Sequence, residues 1–263
     1  MDRRSGPARA FATAVCALLF AAAGCAGTTG APAAQPPAPR PAVPILMYHV
    51  IGPVPAGARL PALFVGPARF TAHVRALRRA GYTAVTLQQV WNAWRRGARL
   101  PRRPIVISFD DGTAGHVRHA LPVLRSAGWP GVLNLAWSFL PQIGGTDAVR
   151  RLARAGWEID SHSLTHPDLT RLSDADLRRE LTGSRTRIRR AFGPRAANFF
   201  AYPSGRHDAR VRRAVRAAGY LAATTVQRGL ARPAANRHAL SRVQVSGGTS
   251  AAALLRRLRA LRP

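Results

Sequence analysis

Two short stretches of this chain bring together residue types that bind metals and move protons. Asp110-Asp111-Gly112 ends an apolar run at residues 104–109, and His162-Ser163-Leu164-Thr165-His166 follows another apolar run. The chain has only 11 acidic residues, so composition alone does not explain two adjacent carboxylates at the end of such a run. One carboxylate and two imidazoles leave a metal with open positions, as catalytic sites require. The second carboxylate is then free to act as a base, which predicts metal-assisted hydrolysis.

The local geometry of both stretches is constrained by their neighbours. Pro167 disfavours helix at His166, so a single turn or tight loop after a strand is predicted there. Adjacent aspartates on a strand point to opposite sides, but a turn at Gly112 can bring both carboxylates into one site. Which of the two binds the metal is left open by this reasoning. Two histidines and a carboxylate also suit iron oxygenases, although nothing else in the chain suggests that chemistry.

Eight short runs rich in β-branched, aromatic or apolar residues predict strands. They lie at residues 44–48, 82–86, 104–109, 131–135, 157–161, 198–202, 220–225 and 240–245. Helical patterns with start and stop signals occur between them, at residues 67–80, 173 to about 192, 207–218 and 249–261. This alternation predicts an α/β fold built on a mostly parallel sheet.

The candidate chemical groups share a position in this pattern. His49, Asp110-Asp111, His162 and Tyr202-Pro203 each lie at the carboxyl end of a predicted strand. In a closed barrel those ends converge on one mouth, whereas an open sheet spreads them along an edge. The barrel is therefore the favoured arrangement.

The start of the chain has the features of a lipoprotein signal peptide, predicted for residues 1–24. A basic region with Arg3, Arg4 and Arg9 precedes an apolar segment that is too short to span a bilayer. The sequence Ala22-Ala23-Gly24-Cys25 resembles a lipobox, which predicts lipidation of Cys25 and a membrane anchor on the extracytoplasmic face. An ordinary signal peptide and a secreted protein are the alternative. Residues 25–43, rich in Pro and Ala, are predicted to be a linker, and residues 44–263 the catalytic domain.

Composition excludes several classes of function. The only other cysteine, Cys16, lies in the leader, so the mature chain has no internal disulfide and no thiol chemistry. The net charge is +29, and all 40 basic residues counted in it are arginine. Nucleic-acid binding would use such charge, but export and the lack of a nucleic-acid motif argue against it. Attraction to an anionic envelope surface is the expected consequence.

The motifs resemble those of the polysaccharide deacetylase family, also called carbohydrate esterase family 4 or the NodB-homology domain. Ser108-Phe109-Asp110-Asp111-Gly112 matches the first family motif and His162-Ser163-Leu164-Thr165-His166 the second. Phe200-Ala201-Tyr202-Pro203-Ser204-Gly205 resembles the third. The phrase at residues 44–49 is similar to the branch that contains poly-β-1,6-N-acetylglucosamine deacetylases. The resemblance extends from about residue 43 to the end of the chain.

The resemblance implies a distorted (β/α) barrel of seven strands. It implies a divalent metal, usually zinc, held by Asp111, His162 and His166, with Asp110 as general base. The segment Tyr202, Pro203 and Ser204 would bind substrate, with a backbone N–H near Ser204 and the metal stabilising the oxyanion. The implied reaction removes acetyl groups from an N-acetylated cell-envelope polysaccharide that contains N-acetylglucosamine. No protein partner is implied.

Two departures from the family pattern bear on activity. Ala201 stands where an arginine usually orients the base, and the late leucine-x-histidine motif is replaced by Leu240-Ser241-Arg242. His49 and His238 are the candidates for the missing general acid. An O-acetyl esterase, or a carbohydrate-binding lipoprotein with weak catalysis, are the alternative functions.

Overall fold

The computed structural model describes residues 40–261. The predicted signal peptide, Cys25 and the linker up to residue 39 lie outside the described residues. The described residues form ten strands, and their bounds in chain order are β1 Ile45–Tyr48, β2 Val50–Ile51, β3 Phe64–Val65, β4 Thr83–Ala84, β5 Pro104–Asp111, β6 Val132–Leu135, β7 Glu158–Ser161, β8 Phe199–Ala201, β9 Ala222–Arg228 and β10 Leu240–Gln244.

Seven of these strands close into a parallel barrel, as the family resemblance implies. The order is β1-β10-β9-β8-β7-β6-β5, and β1 pairs again with β5 to complete the ring. The short β4 pairs with the first two residues of β5, Pro104 and Ile105, whereas β1 takes the same edge of β5 from Val106 onward. All eight predicted strand runs are therefore strands, and one of them lies beside the barrel. The small β2–β3 pair was not predicted.

Eight α-helices accompany the strands. Their bounds are α1 Pro67–Arg79, α2 Leu87–Arg96, α3 Leu121–Ser126, α4 Leu140–Ile143, α5 Gly145–Arg154, α6 Asp174–Phe192, α7 Ala209–Ala217 and α8 Ala251–Ala260. The four predicted helices correspond to α1, α6, α7 and α8. The cap predicted at Ser173 is present, since its hydroxyl accepts a hydrogen bond from the Asp176 amide. None of the helices within residues 40–261 is both long enough and apolar enough to cross a membrane.

The helix α2, which was not predicted, closes the amino end of the barrel. Thr86 caps it in a reciprocal arrangement with Gln89, and Gly97 ends it with a left-handed φ of 71°. Its residues Val90, Trp91 and Trp94 belong to a buried cluster that includes the first inward residues of several strands. With that end plugged, the carboxyl ends of the strands form the open mouth.

Successive side chains along each strand point alternately outward, toward the helices, and inward, into the barrel. Outward residues such as Phe200 and Tyr202 join the large apolar cluster between the barrel and its helices. Inward residues are apolar near α2 and become polar toward the mouth, where Asp110 pairs in register with Asn134. The chain enters this body at Val43, which is fully buried and paired with Ala231 although the sequence boundary assigns it to the linker.

Candidate active site

Asp111, His162 and His166 converge at the mouth of the barrel. Asp111 Oδ1 lies 3.5 Å from Nε2 of His162 and 3.5 Å from Nε2 of His166. One ligand atom from each residue lies within 4.8 Å of the others. Ligands about 2.1 Å from a tetrahedral metal lie roughly 3.4 Å apart, so the three atoms fit a single divalent ion. Nitrogen and carboxylate oxygen donors of this kind suit zinc and its neighbours.

Unusual backbone conformations produce this convergence. Five non-glycine residues among those described have positive φ, and four of them are at the mouth: Asp111 (77°), Ser163 (73°), His166 (62°) and Ser204 (52°). The left-handed turn at Asp111 swings its carboxylate away from the ordinary alternation of β5. Strained conformations of this kind cost about 1–3 kcal/mol each and persist where surrounding contacts enforce them.

The tautomer of His162 is set by the neighbouring strand. Nδ1–H of His162 donates to the carbonyl of Ala201 over 2.8 Å, which leaves the Nε2 lone pair directed at Asp111. Burial lowers the pKa of His162 to about 3, so the ring is neutral as a metal ligand must be. Burial also lowers the pKa of His166, whose ring stacks on Phe139.

Glu180 on α6 holds the loop between the two histidines. Its Oε2 accepts hydrogen bonds from the backbone amides of Leu164 (2.8 Å) and Thr165 (2.9 Å), and its Oε1 accepts one from the Thr165 hydroxyl (2.7 Å). The residue is only 5% exposed. Since charge-assisted bonds of this kind are strong, Glu180 fixes the loop in its strained conformation. It was not identified from the sequence.

Asp110 lies deeper, inside the barrel, and is held by Arg242. The guanidinium of Arg242 donates to both carboxylate oxygens over 2.8 Å, and Asn134 Nδ2 donates to Oδ1 over 2.7 Å. Burial opposes the charge on Asp110, but the Arg242 guanidinium overrides it and holds the pKa of Asp110 well below its usual range. The carboxylate is therefore ionised and locked in one orientation.

Arg242 takes the place of the arginine missing at Ala201. It projects inward from β10, is 1% exposed, and its Nε also donates to the carbonyl of Thr225. The sequence did not reveal this role, although an arginine within a predicted barrel strand requires a buried counter-charge. Asp110 is that counter-charge.

The two carboxylates differ in their electrostatic state. Burial raises the pKa of Asp111 to about 6, and the adjacent charge of Asp110 adds to the rise. Without a cation beside it, Asp111 thus exchanges a proton near neutral pH, whereas Asp110 does not. This difference is consistent with Asp111 as a metal ligand and Asp110 as a proton acceptor.

Of the two general-acid candidates, only His49 lies at the site. His49 Nε2 is 4.0 Å from Asp110 Oδ2, and its side chain is 16% exposed at the mouth. Its backbone carbonyl accepts a hydrogen bond from the buried ring of His116, which fixes the turn after β1. His238 precedes β10 at the amino end of the barrel, where its Nε2 contacts the Tyr220 carbonyl. It is therefore too far along the barrel axis to reach the mouth.

Of the predicted substrate-binding residues Tyr202, Pro203 and Ser204, only Ser204 is exposed to solvent. Tyr202 is fully buried: its hydroxyl donates to the carbonyl of His238 and its ring stacks on His207. Tyr202 points outward from the barrel, whereas Phe199 points inward, so its side chain is not available to substrate. Substrate binding at Tyr202 stays a prediction for its backbone groups alone. Pro203 is also buried. Ser204 is exposed, so backbone groups of this turn are what the segment can present at the mouth.

Comparison with known proteins identifies the family. Residues 97–223 match the family model described as Polysaccharide deacetylase. The Bacillus subtilis protein YxkH, whose name assigns it provisionally to the polysaccharide deacetylases, is 27% identical over 213 residues, covering 80% of this chain and 74% of that protein. The poly-beta-1,6-N-acetyl-D-glucosamine N-deacetylase of Escherichia coli K12 is 38% identical over 56 residues, 21% of this chain and 8% of that protein.

A solved structure shows the same fold. The Streptococcus pyogenes deacetylase PplD, determined in complex with acetate, superposes with a TM-score of 0.76 at 22% identity, covering 84% of this chain and 99% of that one. The resemblance indicated by the motifs is confirmed: residues 97–223 match the polysaccharide deacetylase family, a class of hydrolases that act on polysaccharide acetyl groups. The fold is the NodB-type barrel of such proteins.

Proposed function

We propose that this protein is a metal-dependent hydrolase that removes N-acetyl groups from an N-acetylglucosamine-containing polysaccharide of the cell envelope. The observation that carries the proposal is the convergence of Asp111, His162 and His166 beside an ionised Asp110. The short match to a poly-beta-1,6-N-acetyl-D-glucosamine N-deacetylase supports the choice of polymer.

The donor set fits a divalent metal, with zinc the expected ion. Asp111, His162 and His166 would hold it, since their atoms are spaced as tetrahedral ligands and both imidazoles are neutral. When bound, such an ion supplies Lewis-acid polarisation of the acetyl carbonyl and lowers the pKa of water.

The remaining chemistry is assigned to the chain's own side chains. Asp110 accepts a proton from the attacking water, because Arg242 and Asn134 keep it ionised and oriented. His49 is the donor proposed for the departing sugar amine, being the histidine beside Asp110. Backbone N–H groups of the turn at Ser204 are proposed to stabilise the developing oxyanion.

The test is acetate release from a panel of matched N-acetylated and O-acetylated glycans, with and without a chelator. We expect release from N-acetylglucosamine polymers that stops on chelation and returns with added metal. Elemental analysis should find about one metal per chain. Full activity without metal would refute the metal role, and release from O-acetylated glycans alone would favour the esterase alternative. Binding without release would identify a carbohydrate-binding protein instead.

A further inference from the structure

The surface at the amino ends of the barrel strands carries a group of arginines, which we call the amino-end face. Its members are Arg40, Arg95, Arg102, Arg103, Arg232 and Arg237. Two clefts join them. One, of about 530 Å³, is lined by Arg102, Arg103 and Arg232, and a smaller one is lined by Arg95, Arg232 and Arg237. Arg232 contributes to both clefts, so the face is continuous.

Aromatic rings support several of these guanidinium groups from beneath. Arg95 and Arg237 lie over the ring of Trp91, at 5.1 and 6.0 Å, and Arg103 lies over Tyr82 at 5.3 Å. Such stacking holds a guanidinium in place without using its edge donors, although Arg103 donates one of them to the carbonyl of Ala80.

The chain preceding the described residues joins the domain at this same face. The indole of Trp94, on the plugging helix α2, donates to the carbonyl of Pro41 over 2.9 Å. Two residues later, Val43 exchanges two backbone hydrogen bonds with Ala231. Anything attached upstream therefore meets the body at its amino end, opposite the mouth.

Acidic residues are distributed in the opposite way. Apart from Asp2, every acidic residue lies between positions 110 and 208. Outside the site, Glu158 lies at the amino end, where its Oε2 accepts a hydrogen bond from the Gln88 amide, and Asp160 and Glu180 are buried. The other five begin helices: Asp147, Asp168, Asp174, Asp176 and Asp208. Helices of this barrel begin at the carboxyl ends of strands, so these charges lie toward the mouth. Carboxylates that pair with arginines, as Asp168 does with Arg206 and Asp174 with Arg210, therefore lie toward the mouth, whereas the acidic residue described near the amino-end face is the half-buried Glu158.

Helix dipoles explain only part of this distribution. They favour acidic residues in first turns and arginines in last turns, such as Arg95 at the end of α2. Arg40, Arg102, Arg103, Arg232 and Arg237 lie in connecting segments, where the dipole makes no such demand. Helix dipoles therefore do not account for these five positions.

We propose that the amino-end face docks on an anionic lipid bilayer, with the active-site mouth directed away from the membrane. Guanidinium groups bind phosphate in a bidentate manner, and basic groups near an anionic membrane surface each contribute to attachment. The inference does not depend on the deacetylase activity.

A bilayer is favoured over a soluble polyanion because of where the upstream chain is joined. The 16 residues from Cys25 to Arg40 reach at most about 55 Å, so a lipid on Cys25 would keep this face near the membrane. The amino-end face would then meet that membrane as a further, charge-dependent contact beside the lipid.

The experiment measures co-sedimentation of the full chain carrying Cys25→Ser with phosphatidylglycerol-containing vesicles and with phosphatidylcholine vesicles. The face variant combines Arg95→Gln, Arg102→Gln and Arg232→Gln. The control variant removes equal charge from α6 and α7 with Arg178→Gln, Arg187→Gln and Arg213→Gln, all exposed positions. Melting temperatures verify that both variants fold.

We expect salt-sensitive binding to the anionic vesicles, weakened at least tenfold in the face variant and much less in the control. Equal weakening in both variants would show general charge attraction and overturn the proposal. So would absence of binding to anionic vesicles, or tighter face-dependent binding to soluble polyglutamate than to vesicles.

Orientation is tested separately with an environment-sensitive dye, in a background that also carries Cys16→Ser. Labels are placed at Ala235→Cys, beside the amino-end face, or at Ala114→Cys, after β5 at the mouth. Addition of anionic vesicles should change the emission of the first label only. A response of the mouth label alone, or of both labels equally, would contradict the orientation.

Discussion

At the residue scale, the two adjacent aspartates Asp110 and Asp111 are predicted to have separate tasks. Asp110→Asn should retain the fold and the metal but lower kcat by roughly a hundredfold or more, because only the proton acceptor is lost. Asp111→Asn should lose the metal itself, since its carboxylate lies 3.5 Å from both imidazoles. Metal content and acetate release measured on both variants check the assignment. An Asp110→Asn enzyme with normal turnover, or with depleted metal, would reverse the roles.

The proposed role of His49 predicts different effects of its removal on amide hydrolysis and on ester hydrolysis. An amide needs a proton on the departing amine, whereas an ester's leaving group needs less help. His49→Ala should therefore reduce kcat/KM on an N-acetyl substrate more than on a matched O-acetyl substrate, with metal retained. Equal loss on both substrates would indicate a positioning role for His49. No loss on either would exclude it, and because His238 lies at the other end of the barrel, water would remain as the donor.

Arg242 sets the protonation state of Asp110 across the barrel. In Arg242→Met, the burial of Asp110 is no longer opposed by a guanidinium, so its pKa should rise. Because the base works when ionised, the acid limb of the activity profile should move to higher pH, and raising the pH should restore part of the rate. Arg242→Lys should shift the limb less. An unchanged pH profile with merely lower stability would reduce Arg242 to a structural residue.

At the scale of elements, α6 holds the metal-ligand loop through Glu180. Glu180→Gln keeps the size of the side chain but cannot accept all three hydrogen bonds from the loop. Metal affinity, measured by competition with a chelating dye, should fall about 10- to 100-fold. Excess metal should restore most of kcat, which a catalytic residue would not allow. Asp176→Asn, one turn earlier on α6, is the matched control and should leave affinity unchanged.

At the scale of the whole molecule, the location of the protein depends on Cys25. If Cys25 carries lipid, Cys25→Ser should move most of the protein from the membrane fraction to the soluble fraction at physiological salt. Residual association should then be removed by high salt, because it would come from the arginine surface. Membrane association that neither the substitution nor salt removes would contradict both attachments.

Much of this fold was predictable because its signals are local. Strand and helix periods, the caps at Ser173 and Gly81, and the spacing of the aspartates and histidines are all properties of neighbouring residues. The helix α2 was missed because its apolar face serves as a plug for the barrel, a packing role that the strand–helix alternation does not indicate. The outward direction of the Tyr202 side chain could in principle have been predicted from the alternation along β8. If Phe199 and Ala201 face inward, Phe200 and Tyr202 face outward.

The sequence by itself determined the chemical groups, the order of strands and helices, and the family to which the motifs point. Tertiary structure alone decided which distant groups complete the site. Arg242 is 132 positions from Asp110 and Glu180 is 15 from Thr165, yet both make direct charge-assisted contacts. Closure of the barrel places β10 opposite β5 across the interior. The packing of α6 brings Glu180 to the loop between His162 and His166. Such contacts depend on how the elements close on one another, which no spacing along the chain records.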